Sequence, residues 1–185
     1  MKIRLNDVRL AFPELWVPKQ VQGEGKAAFS ATFILVPNSE NTQAVEKAML
    51  AAAMERWKAD APAVLKDLEG KGRVCLQRKP RTDKSGQPYM GFEGSWSVAA
   101  RSEVKPKVID KNRVDLTQAD GRIYGGCYVN AVIDIWAQEH RQYGRRVNAA
   151  LKGVQFMRDG DAFTGGVPAS TDDFEDLSEG VDDLL

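Results

Sequence analysis

The chain has 185 residues, with 26 Lys+Arg set against 26 Asp+Glu, one histidine and two cysteines. A body of this size buries a core without staples, and Cys75 and Cys127, in unrelated contexts, argue against a disulfide framework and for a reducing cytoplasm. A lone His140 leaves no Cys/His zinc site, no apolar run approaches the ~18–20 residues of a membrane span, and no leader is expected at the start.

In chain order, "MKIRLNDVRLAF" alternates Ile3 and Leu5, then Val8, Leu10 and Phe12, which predicts a strand with a one-residue slip near Asn6-Asp7. "FPELWVPKQVQGEGK", broken by prolines and glycines, reads as a loop, and "AAFSATFILVP" as a second strand. In "NSENTQAVEKAMLAAAMERWK", Val45, Ala48, Met49, Ala52, Ala53 and Trp57 recur at helical spacing, so Trp57 is expected in the core. A shorter helix is expected at "APAVLKDLEGKG", with Pro62 in its first turn and Gly70 at its stop. From residue 73 the pattern returns to strands, with a Lys-Ser-Gly-Gln turn and with Met90, Phe92, Trp96, Val98 and Ala100 on one parity. "GGCYVNAVIDIWAQ" is the cleanest strand, with Val129, Ala131, Ile133 and Ile135 inward. "YGRR" is a turn, and "VNAALKGVQFM" a further strand. This mainly β pattern with one helical insertion predicts a small five-stranded barrel of the OB-fold kind, the usual carrier of oligonucleotide binding.

The charge is balanced but segregated. Asp172, Asp173, Glu175, Asp176, Glu179, Asp182 and Asp183 all lie in the last 16 residues, which hold no base, so the body without them is formally +7. Residues 71–113 carry eleven bases and four acids, and the rest of the body balances. Concentrated positive charge is the footprint expected for a polyanion. The acidic tail is studded with Phe174, Leu177, Val181, Leu184 and Leu185, a pattern suited to capture by a partner as well as to solvation.

Holding a single strand takes cations along the phosphates and flat rings under the bases. The basic segment interleaves both. The phosphate candidates are Arg78, Lys79, Arg81, Lys84, Arg101, Lys105 and Lys107, and the stacking candidates are Tyr89, Phe92, Trp96, Tyr128, Trp136 and Trp16. Phe92 and Trp96 share the parity of Val98 and fit the core equally well. Tyr89, Tyr128 and Trp136 lie on polar parities, and Trp16 is either a loop anchor or a platform. Arg141, Arg145 and Arg146 could extend the basic track. The helices offer no groove-reading face, so single strands fit better than duplex.

Enzymatic motifs are missing. "GEGKAA" lacks the glycine six before its lysine that a phosphate loop needs, and no Gly-x-Ser-x-Gly elbow occurs. Asp159 and Asp161 are explained by an Asp-Gly-Asp turn as well as by magnesium, so neither a cofactor nor a metal is expected.

"FPELWVPK", "FSATFILVP", "ARSEVKPKVID", "GGCYVNAVIDIWA", "GVQFMRDGD" and "ASTDDFEDL", in that succession over residues 12–177, resemble the phage single-stranded-DNA-binding proteins of an OB-fold family with an acidic C-terminal tail. The resemblance implies a barrel over residues 1–164, a flexible linker at 165–171 and an acidic tail at 172–185. It implies coating of single-stranded DNA during phage replication or recombination, in the cytoplasm of the infected cell and without sequence reading. The tail would occupy the DNA groove when DNA is absent and recruit replication and recombination proteins through Asp172, Asp173, Phe174, Glu175, Asp176, Leu177, Asp182 and Asp183. A homodimer is a further expected partner, a membrane is not. The sequence leaves open an RNA-binding or chaperone barrel and a structural adaptor acting through its tail, with a metal nuclease more distant.

Overall fold

The structure is a computed structural model, and it describes residues 1–21 and 24–163. The expected linker and acidic tail therefore lie outside the described residues.

Strands β1 (Lys2–Val21) and β2 (Glu24–Leu35) lead into helices α1 (Glu40–Trp57) and α2 (Ala61–Gly70). Then follow β3 (Leu76–Gln77), β4 (Trp96–Ser102), β5 (Lys107–Ile109), β6 (Tyr128–His140) and β7 (Gly144–Arg158). The strands form one sheet in the order β3-β4-β2-β1-β6-β7-β5, antiparallel except for β5 against β7. The expected five-stranded barrel is thus corrected to a seven-stranded sheet. β3 and β5 are only two and three residues long, too short to show as periodicity.

β1 is far longer than its sequence pattern indicates. The stretch expected to be a loop continues as strand to Val21 and pairs irregularly with β2, as Glu14↔Ser30, Lys19↔Ala28 and Val21↔Glu24. Pro13 and Pro18 fall at the register shifts between Ala11 and Glu14 and between Glu14 and Lys19, where a missing N–H breaks no ladder bond. The expected slip near Asn6-Asp7 is present as a register shift between Leu5 and Val8, with Asp7 at φ 49°. Its N–H donates to Asn130 Oδ1 at 2.9 Å, so a buried amide on β6 holds the bulge. A second non-glycine residue in the left-handed region, Phe12 (φ 48°), follows in the same strand. This turn of the backbone leaves Phe12 43% exposed, between the buried Ala11 and the half-buried Pro13.

The helices cover one face of the sheet. Val45, Ala48, Met49, Ala52, Ala53 and Trp57 of α1 are buried, as their spacing predicts, with Leu5, Leu10, Phe33, Val129, Ile133 and Ile135 in the same core. Burying each large side chain of this kind stabilises by about 1.5–3 kcal/mol. The Trp57 indole N–H is satisfied by Glu139 Oε2 at 3.0 Å. That bond, with Arg145 beside it, holds the Glu139 carboxyl below the usual range.

At one point the two ends of the sheet meet. Val74, just before β3, forms a parallel bridge with Val147 of β7, and Val147 N–H donates to Arg73 O at 3.1 Å. β4 lies against β7 without a ladder between them among the described residues, and that interval is where a trough opens.

Candidate nucleic-acid interface

The trough encloses about 1120 Å³ between β2, β4, β6 and β7. Its space comes from small side chains, with Ala28, Ser30 and Ala31 on β2, Ala99 and Ala100 on β4, and Ala149 and Ala150 on β7. Register decides what stands beside them, for Ser30 pairs with Arg101, Trp136 with Asn148 and Gln138 with Arg146. Arg81, Arg101 and Arg146 therefore line the trough together with Trp136, which is 46% exposed.

Arg81 lies over the Phe12 ring at 4.6 Å and reaches Thr32 Oγ1 at 3.4 Å. Tyr89 meets Phe12 edge-on at 5.4 Å and is 39% exposed. Arg101 donates to Lys26 O at 2.5 Å, and Arg146 to Asn148 Oδ1 at 3.4 Å. Among the described residues none of these three arginines has a carboxylate oxygen within 4.0 Å. Lys26, paired with Glu103 at 3.4 Å, and Arg73, which donates to the carbonyls of Tyr143 and Arg145, complete the basic rim. Tyr143 is 62% exposed at that end, stacked on His140 at 4.8 Å. Cys75 lies in the floor, where burial pushes its thiol up to about 12 and keeps it protonated and unreactive.

The other expected residues are placed elsewhere. Phe92 is 1% exposed, packed with Ala11, Ile34 and Phe163, so its ring supports the Phe12–Tyr89 pair from beneath and has no free face for a base. Arg78 donates to both Glu46 and Glu69. Burial works against its charge, but these two carboxylates hold it above the ordinary value. Arg78 also covers the half-buried Trp96 ring at 5.0 Å, so this pair fastens β4 to the helices rather than facing the trough. Tyr128 lies under Arg158 at 3.6 Å with Arg9 at 5.8 Å, away from the trough lining. Trp16 is half-buried with Lys105 Nζ 5.9 Å from its ring, and Lys107 is paired with Asp115 at 2.6 Å. Lys79 and Lys84 are exposed on the loop before β4 and do not line the trough. The Asp159 carboxylate accepts from the Tyr124 hydroxyl at 2.8 Å, and Asp161 O accepts from Arg9 at 2.8 Å. Both serve the turn that ends β7. No group of three potential metal ligands occurs among the described residues, and no described helix is long and apolar enough to cross a membrane.

Sequence reasoning missed Phe12, Tyr143 and Arg73. Phe12 continues the parity of Val8 and Leu10, and only the proline after it signals that a bulge turns it outward. Tyr143 sits in a segment whose turn residues drew attention away from its ring.

The trough can thus accept a chain that offers negative charge at the rim and flat apolar groups to the rings. The family model described as "Enterobacter phage Enc34, ssDNA-binding protein" matches residues 1–185. The chain is 40% identical over 189 residues to protein p50 of Acyrthosiphon pisum secondary endosymbiont phage 1, covering 100% of this chain and 98% of that one. Its fold is similar to the single-stranded DNA-binding protein from bacteriophage Enc34 in complex with ssDNA, with TM-score 0.71 and 25% identity over 88% of this chain and 89% of that one. A fold likeness also extends to gp2.5, a single-stranded DNA binding protein encoded by bacteriophage T7, with TM-score 0.55 and 11% identity over 100% and 98% of the two chains.

Proposed function

The chain belongs to the family of the Enterobacter phage Enc34 ssDNA-binding protein, and on that premise we propose that it binds single-stranded DNA in the β2–β4–β7 trough without reading sequence. The observation that carries this reading is the coincidence, in one trough, of three arginines without carboxylate partners among the described residues and of the exposed Trp136 and Phe12 rings. Arg81, Arg101 and Arg146 hold phosphates, with Lys79 and Lys84 extending the track. Trp136, Phe12 and Tyr89 stack bases, each stacked base contributing roughly 1–3 kcal/mol. The role is that of a non-enzymatic coat in phage replication or recombination in the host cytoplasm. The body is residues 1–164, joined by a linker at 165–171 to the acidic tail at 172–185. Seven acids tethered to a body of formal charge +7 compete for the trough, and DNA displaces them and frees the tail's hydrophobic residues for replication proteins.

Fluorescence anisotropy of a labelled mixed-sequence single strand, at two salt concentrations, tests this on the full chain and on a chain ending at Ser170. Binding by both, tighter after truncation and falling steeply with salt, is expected, at a slope of about −0.7 per phosphate contacted. No binding at low salt overturns the nucleic-acid reading. Equal affinity of the two chains overturns the competing tail. A preference for matched RNA competitor moves the ligand class to RNA.

A further inference from the structure

A second concavity lies on the outer face of the sheet, outside the trough lining. In the register across four strands, Arg4 pairs with Val132, Val132 with Gly153, and Gly153 with Lys107. The glycine leaves a gap in this row. A Cβ there would stand 3.2 Å from Lys107 O, a tight approach that β5 would have to relieve by shifting a few tenths of an ångström. The register of β6 against β7 also shifts here, Ile133 pairing with Leu151 and Val132 with Gly153. Lys152 is the extra residue of that bulge, re-aimed to line the same dent. The result is a dent of about 300 Å³ floored by Val132 and Ile109 and ringed by Arg4, Lys107 and Lys152. Among the described residues Arg4 and Lys152 have no carboxylate partner, and the Lys107–Asp115 pair is exposed on both sides and readily exchanged.

An apolar floor inside a ring of cations selects an apolar side chain flanked by acids. This chain carries one in residues lying outside the described structure, with Phe174 between Asp172, Asp173, Glu175 and Asp176. We propose that the dent is the seat of this chain's own Phe174, with the flanking carboxylates on Arg4, Lys107 and Lys152.

The distances allow it. From Phe163, the last described residue, eleven residues lead to Phe174 and span up to roughly 36–40 Å at ~3.3–3.6 Å each. Gly153 lies five residues, about 17 Å, back along β7 from Arg158, and at most about 18 Å of chain separates Arg158 from Phe163. Even the longest path is within reach, and a short tether keeps the segment at roughly millimolar effective concentration. The carboxylate nearest along β6, Asp134, is neutralised by the Met1 amino group at 2.9 Å. Val132 and Trp136 share the outer parity of β6, four residues or about 13 Å apart. A tail seated by Phe174 therefore holds Glu179, Asp182 and Asp183 within reach of the trough. The seat itself does not rest on the nucleic-acid reading.

The test is amide chemical-shift comparison of the ¹⁵N-labelled full chain with its Phe174→Ala variant and with an Arg4→Glu/Lys152→Glu variant, no nucleic acid present. All three substitutions are at exposed or tail positions, so the body folds in each. The expected result is displacement of the Lys107, Val132, Lys152 and Gly153 amides in Phe174→Ala, unchanged on dilution. Loss of the Phe174 amide's own salt-sensitive shift is expected in the charge-reversed variant. Displacement confined to Arg81, Arg101 and Ala149, no displacement at all, or a displacement that vanishes on dilution would each overturn the proposal. Because no DNA is added, failure here is distinct from failure of the binding experiment above.

Discussion

Two arginine–aromatic clusters lie back to back across the Gly91–Phe92 segment. On one side Arg81 lies over Phe12, with Tyr89 against the same ring. On the other, Arg9 lies 4.4 Å from the Phe163 ring, and Arg158 covers Tyr128. The residue types are the same but the bookkeeping of donors differs. Arg9 gives its N–H groups to the carbonyls of Gly126 (3.1 Å) and Asp161 (2.8 Å), and Arg158 gives two to Asp7 at 3.2 and 3.1 Å. Arg81 makes one long contact to a hydroxyl. A guanidinium carries five donors, and only unspent ones are available to a ligand. Among the described residues the first cluster therefore keeps donors free, as the proposed receptor surface requires, and the second is the clamp that fixes the end of β7.

The largest test of that contrast removes Arg81, Arg101 and Arg146 together by substitution with alanine. Affinity for single-stranded DNA should fall on the order of a hundredfold, and the log–log salt slope should flatten by about 2. Arg78→Ala, three residues from Arg81 but spent on Glu46 and Glu69, should leave the slope unchanged. An equal effect of both would mean that charge count rather than donor availability governs binding. Next in size, Trp136→Ala should weaken binding by about 1–3 kcal/mol in the same titration, while Tyr128→Ala, its ring already under Arg158, should not. The smallest test works from the clamp side. At Gly126, φ is 113° and a Cβ would stand 2.1 Å from Asp161 O. Gly126→Ala should therefore cost about 1–3 kcal/mol of stability, lowering Tm by about 2–4 °C for each kcal/mol, with DNA affinity of the folded protein unchanged.

What the sequence discloses and what it hides follow from how each feature is encoded. β6 was readable because its inward set, Val129, Ala131, Ile133 and Ile135, alternates without interruption, and α1 because its stripe ends on Trp57. The β1 slip was readable at Asn6-Asp7, where the apolar set changes parity. The continuation of β1 past Pro13 was not, because its pairing with β2 shifts register three times and two of the shifts fall on prolines. For the proposed site, clustered charge singled out residues 71–113 and could not rank its members. Arg78 and Arg81 look alike in a sequence. Only the fold brings Glu46 and Glu69, 32 and 9 residues away, to the first. Phe92 and Phe12 exchanged roles for the same reason. A bulge sends Phe12 outward, and the turn at Gly91 sends Phe92 beneath it.

The outer strands of the sheet, β3 and β5, are two and three residues long. A molecule that lines up beside its copies on a common polymer faces a hazard that free molecules escape, because the polymer supplies the crowding that lets sheet borders zip together. Long borders with open N–H and C=O rows would template that zipping. Borders this brief offer too few unpaired groups to start it, so in the coat proposed above neighbours would pack closely and still part again.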